Sequence, residues 1–238
     1  MKDRTMRRIV VLNPKGGSGK TTLATNLASY YALHGQKTAL MDFDNQGSST
    51  HWLEARAPTL PAIQSISAYK HPPGVTRSWF MRVQPGTERL ITDTPAALDF
   101  RHFRETLNEA AAIVIPVLPS EIDIRAVSNC IGDVLSSTKL HWQDARIAVV
   151  ANRVRRNTLI YQKLVYFLGS LKIPFIATLR DTQNYIHAAE QGRGIFDMSP
   201  SQVQQDLESW QPLLDWIESR EPPQSNGGLG GGFVQRRV

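Results

Sequence analysis

The chain has 238 residues, 41% hydrophobic and 20% charged, with a formal net charge of +6 at pH 7. That balance suits a globular domain large enough to bury a core and argues against a disordered or fibrous chain. One cysteine excludes an internal disulfide. The absence of an apolar run of about 18 residues, or of a signal-type segment after Met1 to Arg8, predicts a cytoplasmic protein.

An apolar run, Ile9 to Leu12, reads as a short buried strand, and Thr21 to Leu33 reads as a helix with Leu23, Leu27, Tyr30 and Tyr31 on one face. Gly35 is a natural stop for that helix. Lys37 to Met41 is a second strand, ending in Asp42-Phe43-Asp44-Asn45-Gln46-Gly47-Ser48, with a helix expected from Ser48 to Ala55. Prolines break Pro58 to Pro73, within which Pro61 to Ser67 is a candidate short strand; Val75 to Val83 is a candidate helix. Arg89 to Thr92 is a strand delivering Asp93-Thr94-Pro95, followed by a helix from Asp99 to Ala110. Ala112 to Leu118 is an apolar strand closed by Pro119-Ser120, and Glu121 to Ser136 is a helix holding Cys130 in a core setting. Arg146 to Ala151 is a strand, Thr158 to Leu168 a helix capped by Gly169, and Pro174 to Thr178 a last strand. Helices at Thr182 to Gln191, ended by Gly192, and Gln202 to Ser219 complete residues 1–220, read as one domain; 221–238 reads as a flexible Gly-rich tail.

The strands are continuous apolar runs alternating with helices. Such runs are buried on both faces, which predicts an α/β fold: a doubly wound, mostly parallel sheet with helices on both faces. Ligands in such sheets bind beyond the carboxyl ends of the strands. Lys15 to Lys20, Asp42 and Asp44, Asp93, Ser120 and Asn152 all fall at such ends.

The stretch Asn13-Pro14-Lys15-Gly16-Gly17-Ser18-Gly19-Lys20-Thr21-Thr22 joins the first strand to the first helix. Glycines let the backbone bend its N–H groups around an anion, and the helix start adds partial positive charge. Lys20 can reach terminal phosphates and the Thr21 hydroxyl can hold Mg²⁺, with Asp44 and Asp93 available to the metal and its waters. The usual P-loop spacing asks for Gly where Pro14 stands, and Lys15 is an added lysine.

This loop resembles the deviant P-loop of the ParA/MinD family of ATPases. Asp42 to Ser48 is similar to that family's Asp-x-Asp-Pro-Gln-Gly segment, with Asn45 in place of Pro, and Asp93-Thr94-Pro95 to its Asp-Thr-Pro switch, with Ala96-Ala97 following. Ile115 to Asp123 resembles its Pro-x-x-Pro-Ser segment on the dimer face; a strand end stopped by proline is the plain alternative. The resemblance, covering Arg8 to Ser219, implies a P-loop NTPase of SIMIBI type that uses ATP and Mg²⁺. It implies a cycle in which ATP drives a sandwich homodimer, Lys15 crosses to the partner's phosphates, and a ParB-like or cargo-adaptor protein stimulates slow hydrolysis. Phosphate contacts fall to Lys15, Gly16, Gly17, Ser18, Gly19, Lys20, Thr21 and Thr22; the metal to Thr21, Asp44 and Asp93; the hydrolytic water to Asp44; Asp42 is structural. Asn152 and Arg153 follow a strand where the family recognises adenine, with Arg180 and Asp181 as further base neighbours; capping a helix entry is the alternative for the last two.

Members of the family bind either DNA or membrane. Arg153, Arg155, Arg156 and, a turn or two into the next helix, Lys163 form a basic cluster suited to nonspecific nucleoid DNA; Arg101 and Arg104 are a second candidate. A membrane is not expected, because the last helix carries acidic Asp206, Glu208, Asp215 and Glu218 on its polar face. The expected function is a ParA-like ATPase that positions a plasmid, chromosome region, carboxysome or chemoreceptor cluster. The alternatives are a MinD-like membrane-associated ATPase and a cluster-assembly or reductase protein, the last disfavoured by the lone Cys130.

Overall fold

Strand after strand sends alternate residues to opposite faces of the sheet. In a computed structural model, which describes residues 6–70, 76, 81–140, 146–171 and 173–223, the strands are β1 (Arg7–Val11), β2 (Thr38–Asp42), β3 (Ile63–Ser67), β4 (Arg89–Asp93), β5 (Ala112–Val117), β6 (Ile147–Val154) and β7 (Phe175–Arg180). They form one seven-stranded sheet in the order β3-β2-β4-β1-β5-β6-β7. Every pairing is parallel. The helices are α1 (Lys20–Leu33), α2 (Ser48–Glu54), α3 (Arg104–Asn108), α4 (Glu121–Ser137), α5 (Leu159–Ser170), α6 (Asn184–Glu190) and α7 (Pro200–Glu218).

Because successive strand side chains face opposite ways, Ile9 and Val11 of β1 join Leu23, Leu27 and Tyr31 of α1 and Val203, Trp210 and Leu213 of α7 in one core. Val10 and Leu12 join Leu107 of α3, Val127, Cys130 and Val134 of α4, and Leu164 and Leu168 of α5 in the other. Each fully buried aliphatic side chain contributes about 1.5–3 kcal/mol. Helices therefore cover both faces, and apolar strand runs without polar alternation are what that arrangement needs. The register sets Val11 beside Asp93 and Asp93 beside Asp42 at the carboxyl ends of β1, β4 and β2.

Several boundaries differ from the expectation. The segment before α3 is turns: Asp99 accepts the His102 and Phe103 amides through its carbonyl, so regular helix spans only Arg104–Asn108. The strand expected at 146–151 runs on to Val154, so Asn152 and Arg153 lie inside β6, at a register irregularity against β7. Gly169 does not cap α5 but lies in its last turn; the helix ends at Ser170, and Leu171 after it is extended. Asp206 is not on a solvent face: it is fully buried, where Arg180 and Asn184 bind it. Glu218 is taken by Arg7 and Arg89. The expected short strand exists as edge strand β3. Most of the candidate helix at 75–83, and residues 224–238 of the tail, lie outside the described residues. Among the described residues no helix is long and apolar enough to cross a membrane.

Candidate nucleotide site

The loop between β1 and α1 is anchored from below by Asn13. Its side-chain amide donates to the Pro116 carbonyl at the end of β5 (2.7 Å), and its oxygen accepts the Lys15 amide (2.8 Å). The loop then bends through Gly17 and Gly19, with φ of 74° and 91°. A side chain at Gly19 would be strained on its own backbone and would collide with the Asn152 amide nitrogen. Gly19 is also the residue before α1, and no side chain caps that helix start. A helix start without a side-chain cap, reached through a glycine bend, is the arrangement that takes an anion on backbone N–H groups. The Lys20 ammonium donates to the Lys15 carbonyl at 3.1 Å. Burial pulls the Lys20 pKa below the ordinary lysine value, and Asp93 and Asp44 oppose that shift.

Two carboxylates face this loop from neighbouring strands. Asp93 is buried and its Oδ2 accepts the Thr21 hydroxyl at 2.8 Å. Among the described residues its Oδ1 has no hydrogen-bond partner. Burial pushes the Asp93 carboxyl up to about 7, with the Thr21 hydrogen bond pulling the other way and Asp42 adding to the rise. A buried, half-satisfied carboxylate beside a threonine hydroxyl is a donor set that fits Mg²⁺, a hard cation that prefers oxygen. Asp42 is fully occupied: it accepts the Asp44 amide, and the Thr50 amide and hydroxyl at 2.9 Å. Its place is structural, fixing α2 against β2. Asp44 accepts the Gln46 amide at 3.0 Å. It lines a cleft of about 450 Å³ with Phe43, Asn45, Gln46, Pro95, Ala96 and Ala97. Ala97 has φ of 56°, a left-handed conformation that suits glycine, and donates to the Pro14 carbonyl at 3.1 Å. The two acidic segments and the phosphate loop therefore meet at one place.

The remaining candidates are less uniform. Asn152 is buried and donates to the Ser18 carbonyl at 3.0 Å, while its oxygen accepts the Arg153 amide. Its side chain is thus built into the phosphate loop. Arg153 has φ of 51°, and it and Arg155 pair with Asp181. Arg180 turns to α7, bonding Asp206 at 2.8 Å and Gln205 at 2.6 Å. Lys163 pairs with Glu121 on α4 at 2.7 Å, and Arg156 is exposed. Arg153, Arg155 and Asp181 are brought together, whereas Arg180 and Lys163 are each drawn to a different helix.

The sequence gives Asn13 no role of its own and Asp123 only a place in the segment that resembles the Pro-x-x-Pro-Ser dimer face. Asn13 is a polar residue ending an apolar run, which was the available signal. Asp123 is almost fully buried in the first turn of α4, where it binds Lys15 at 2.5 Å and the Ser120 hydroxyl. No local pattern marks that pairing.

A parallel sheet with a glycine loop opening a helix, a buried lysine in the loop and an aspartate at the end of the neighbouring strand defines a nucleotide-binding P-loop fold. Residues 9–195 match the family described as the CobQ/CobB/MinD/ParA nucleotide binding domain. The chain belongs to that ParA/MinD family. The Maintenance of carboxysome distribution protein A of Halothiobacillus neapolitanus is 27% identical over 191 residues, covering 80% of this chain and 87% of that protein. A Borrelia burgdorferi B31 protein assigned to plasmid partition, bound to AMPPNP, superposes with a TM-score of 0.68 at 15% identity, covering 89% of this chain and 99% of that one. A variant of Cyanothece McdA in complex with ATP superposes with a TM-score of 0.62 at 15% identity, covering 92% and 99%. At these identities the two structures establish the shared fold.

Proposed function

We propose that the chain is a ParA-like ATPase: it binds ATP with Mg²⁺, closes as a homodimer around two nucleotides, rides nonspecific DNA and positions a cargo through a partner protein that stimulates hydrolysis. The observation that carries this reading is the meeting of Lys20, Asp44 and Asp93 at the ends of β1, β2 and β4, with Lys15 on the same loop. Lys15 and Lys20 flank the glycines of one phosphate loop, and Lys15 is the partly exposed one.

In this reading the loop N–H groups and Lys20 bind the phosphates, and Thr21 and Asp93 hold the metal, which supplies charge neutralisation at the phosphoryl group when bound. Asp44 orients the attacking water within hydrogen-bond reach of its carboxylate. Lys15 stabilises charge in the partner's site. Arg153, Arg155, Arg156 and Lys163 supply DNA phosphate contacts, and carboxysome or plasmid positioning is the supported class of cargo, by similarity to the proteins named above.

The test combines nucleotide binding, sedimentation and DNA retention. The wild type is expected to bind ATP with Mg²⁺, to double in mass, and to bind DNA of arbitrary sequence in a salt-dependent way. Lys20→Ala is expected to lose nucleotide affinity by about 30- to 100-fold, the value of a charge-assisted hydrogen bond to phosphate. Flotation with liposomes in place of DNA retention overturns the DNA assignment in favour of a membrane surface.

A further inference from the structure

Two buried oxygens near Thr21 are left without partners. One is Asp93 Oδ1; the other is the hydroxyl of Ser49, in the first turn of α2. Ser49 is 0% exposed and Asp93 1%. Among the described residues neither oxygen makes a hydrogen bond. Strand register brings them near each other. Asp42 on β2 stands beside Asp93 on β4. Asp42 Oδ2 accepts the amide and the hydroxyl of Thr50, each at 2.9 Å, which fixes the first turn of α2 against the end of β2. Ser49, one residue before Thr50, then presents its hydroxyl to the Asp93 carboxyl and opposes the rise in pKa that burial causes there.

Buried polar atoms find partners, and a pair of neighbouring orphans marks the place of a group that serves both. Mg²⁺ sheds its waters reluctantly and keeps several of them when a protein binds it. A water on a dication has its lone pair on the metal, so it donates both protons and needs two acceptors. We infer that Asp93 Oδ1 and the Ser49 hydroxyl oxygen are the two acceptors of one such water, which makes Ser49 a positioning residue of the metal site. This rests on the reading of Thr21 and Asp93 as the residues that hold the metal. Thr21 already occupies Asp93 Oδ2 at 2.8 Å, so Oδ1 is the oxygen left for the water. Groups that orient a metal's ligands set its affinity nearly as strongly as the ligands do. Ser49 also lies on the helix that follows the Asp44 segment, so a single water ties the metal to α2 as well as to β4. An alanine would fill the same space but would leave the water one acceptor short.

The experiment measures ADP affinity by calorimetry over a Mg²⁺ series, in wild type, Ser49→Ala and Ser48→Ala. ADP keeps hydrolysis out of the readout. The quantity compared is the Mg²⁺ concentration that gives half of the metal's effect. Ser49→Ala is expected to raise this midpoint about tenfold, and to keep its ADP affinity in excess EDTA within about twofold of wild type. Without metal it is expected to melt no lower than wild type, since the hydroxyl it loses has no partner there. Ser48→Ala removes an exposed hydroxyl from the same turn and is expected to leave the midpoint where it is. An unchanged midpoint in Ser49→Ala overturns the inference; if that protein also melts lower, or fails to fold, the hydroxyl is a part of the core and nothing more. An equal shift in Ser48→Ala assigns the effect to the helix turn and overturns it too. A wild type whose ADP affinity ignores Mg²⁺ fails in the wild-type arm alone, and overturns the metal reading of Thr21 and Asp93 together with the role built on it.

Discussion

The side-chain amide of Asn152 stands 3.0 Å from the Ser18 carbonyl, in the space a Cβ on Gly19 would fill. The end of β6 and the phosphate loop are thus fitted to each other, one amide against one missing methyl. Asn152→Ala removes a buried hydrogen bond that orients the loop, at about 1–3 kcal/mol. Nucleotide affinity is expected to fall about tenfold while the melting temperature drops by a few degrees, read by calorimetry and thermal unfolding. Gly19→Ala is expected to be worse on both counts, since it adds a strained φ of 91° to the clash.

Asp93 predicts a pH dependence of the nucleotide-free protein. Its folded pKa, near 7, lies above the ordinary value of 3.8. The folded state therefore holds this proton more tightly than the unfolded state does. The stability linked to Asp93 is fully present below about pH 4 and is lost as pH rises through 7, by an amount on the order of a few kcal/mol. Asp93→Asn is expected to melt higher than wild type at pH 8, with the gap closing toward pH 4, and to lose the stabilisation that Mg²⁺ with ATP confers on wild type. A melting series from pH 4 to 8 checks it.

Asp44 is expected to separate binding from turnover. Its side chain accepts one backbone amide and borders the 450 Å³ cleft, so Asp44→Ala leaves the phosphate loop intact. Hydrolysis is expected to fall about 10²- to 10⁴-fold with ATP affinity within a few-fold of wild type. The variant is expected to persist as an ATP-bound dimer on DNA. Phosphate release and gel filtration read the two effects.

The basic cluster is expected to act through charge rather than through recognition of bases. Arg155 is shared with Asp181 and Lys163 with Glu121, so their attraction to DNA competes with internal ion pairs. Arg155→Ala with Arg156→Ala is expected to weaken binding alike on unrelated sequences, and to lower the salt slope by about 0.9 for each phosphate no longer neutralised. Fluorescence anisotropy over a salt series measures this.

Ala97 is the residue where the second acidic segment departs from what its backbone prefers. A left-handed φ of 56° costs a non-glycine residue about 1 kcal/mol or more.

What the sequence alone determined is local. Continuous apolar runs, and a glycine-rich bridge from strand to helix, carry their own physical signature, because burial on both faces and positive φ are demands each residue meets by itself. So β1, its loop, α1, the parallel sheet and the acidic ends of β2 and β4 were legible. Only the folded chain decided the partners that cross it: Lys15 with Asp123, Asn152 with Ser18 across 134 residues, Arg180 with Asp206. Such pairs follow from strand order and register, which bring distant polar groups into one low-dielectric space where each must find a partner. No period in the sequence encodes that choice.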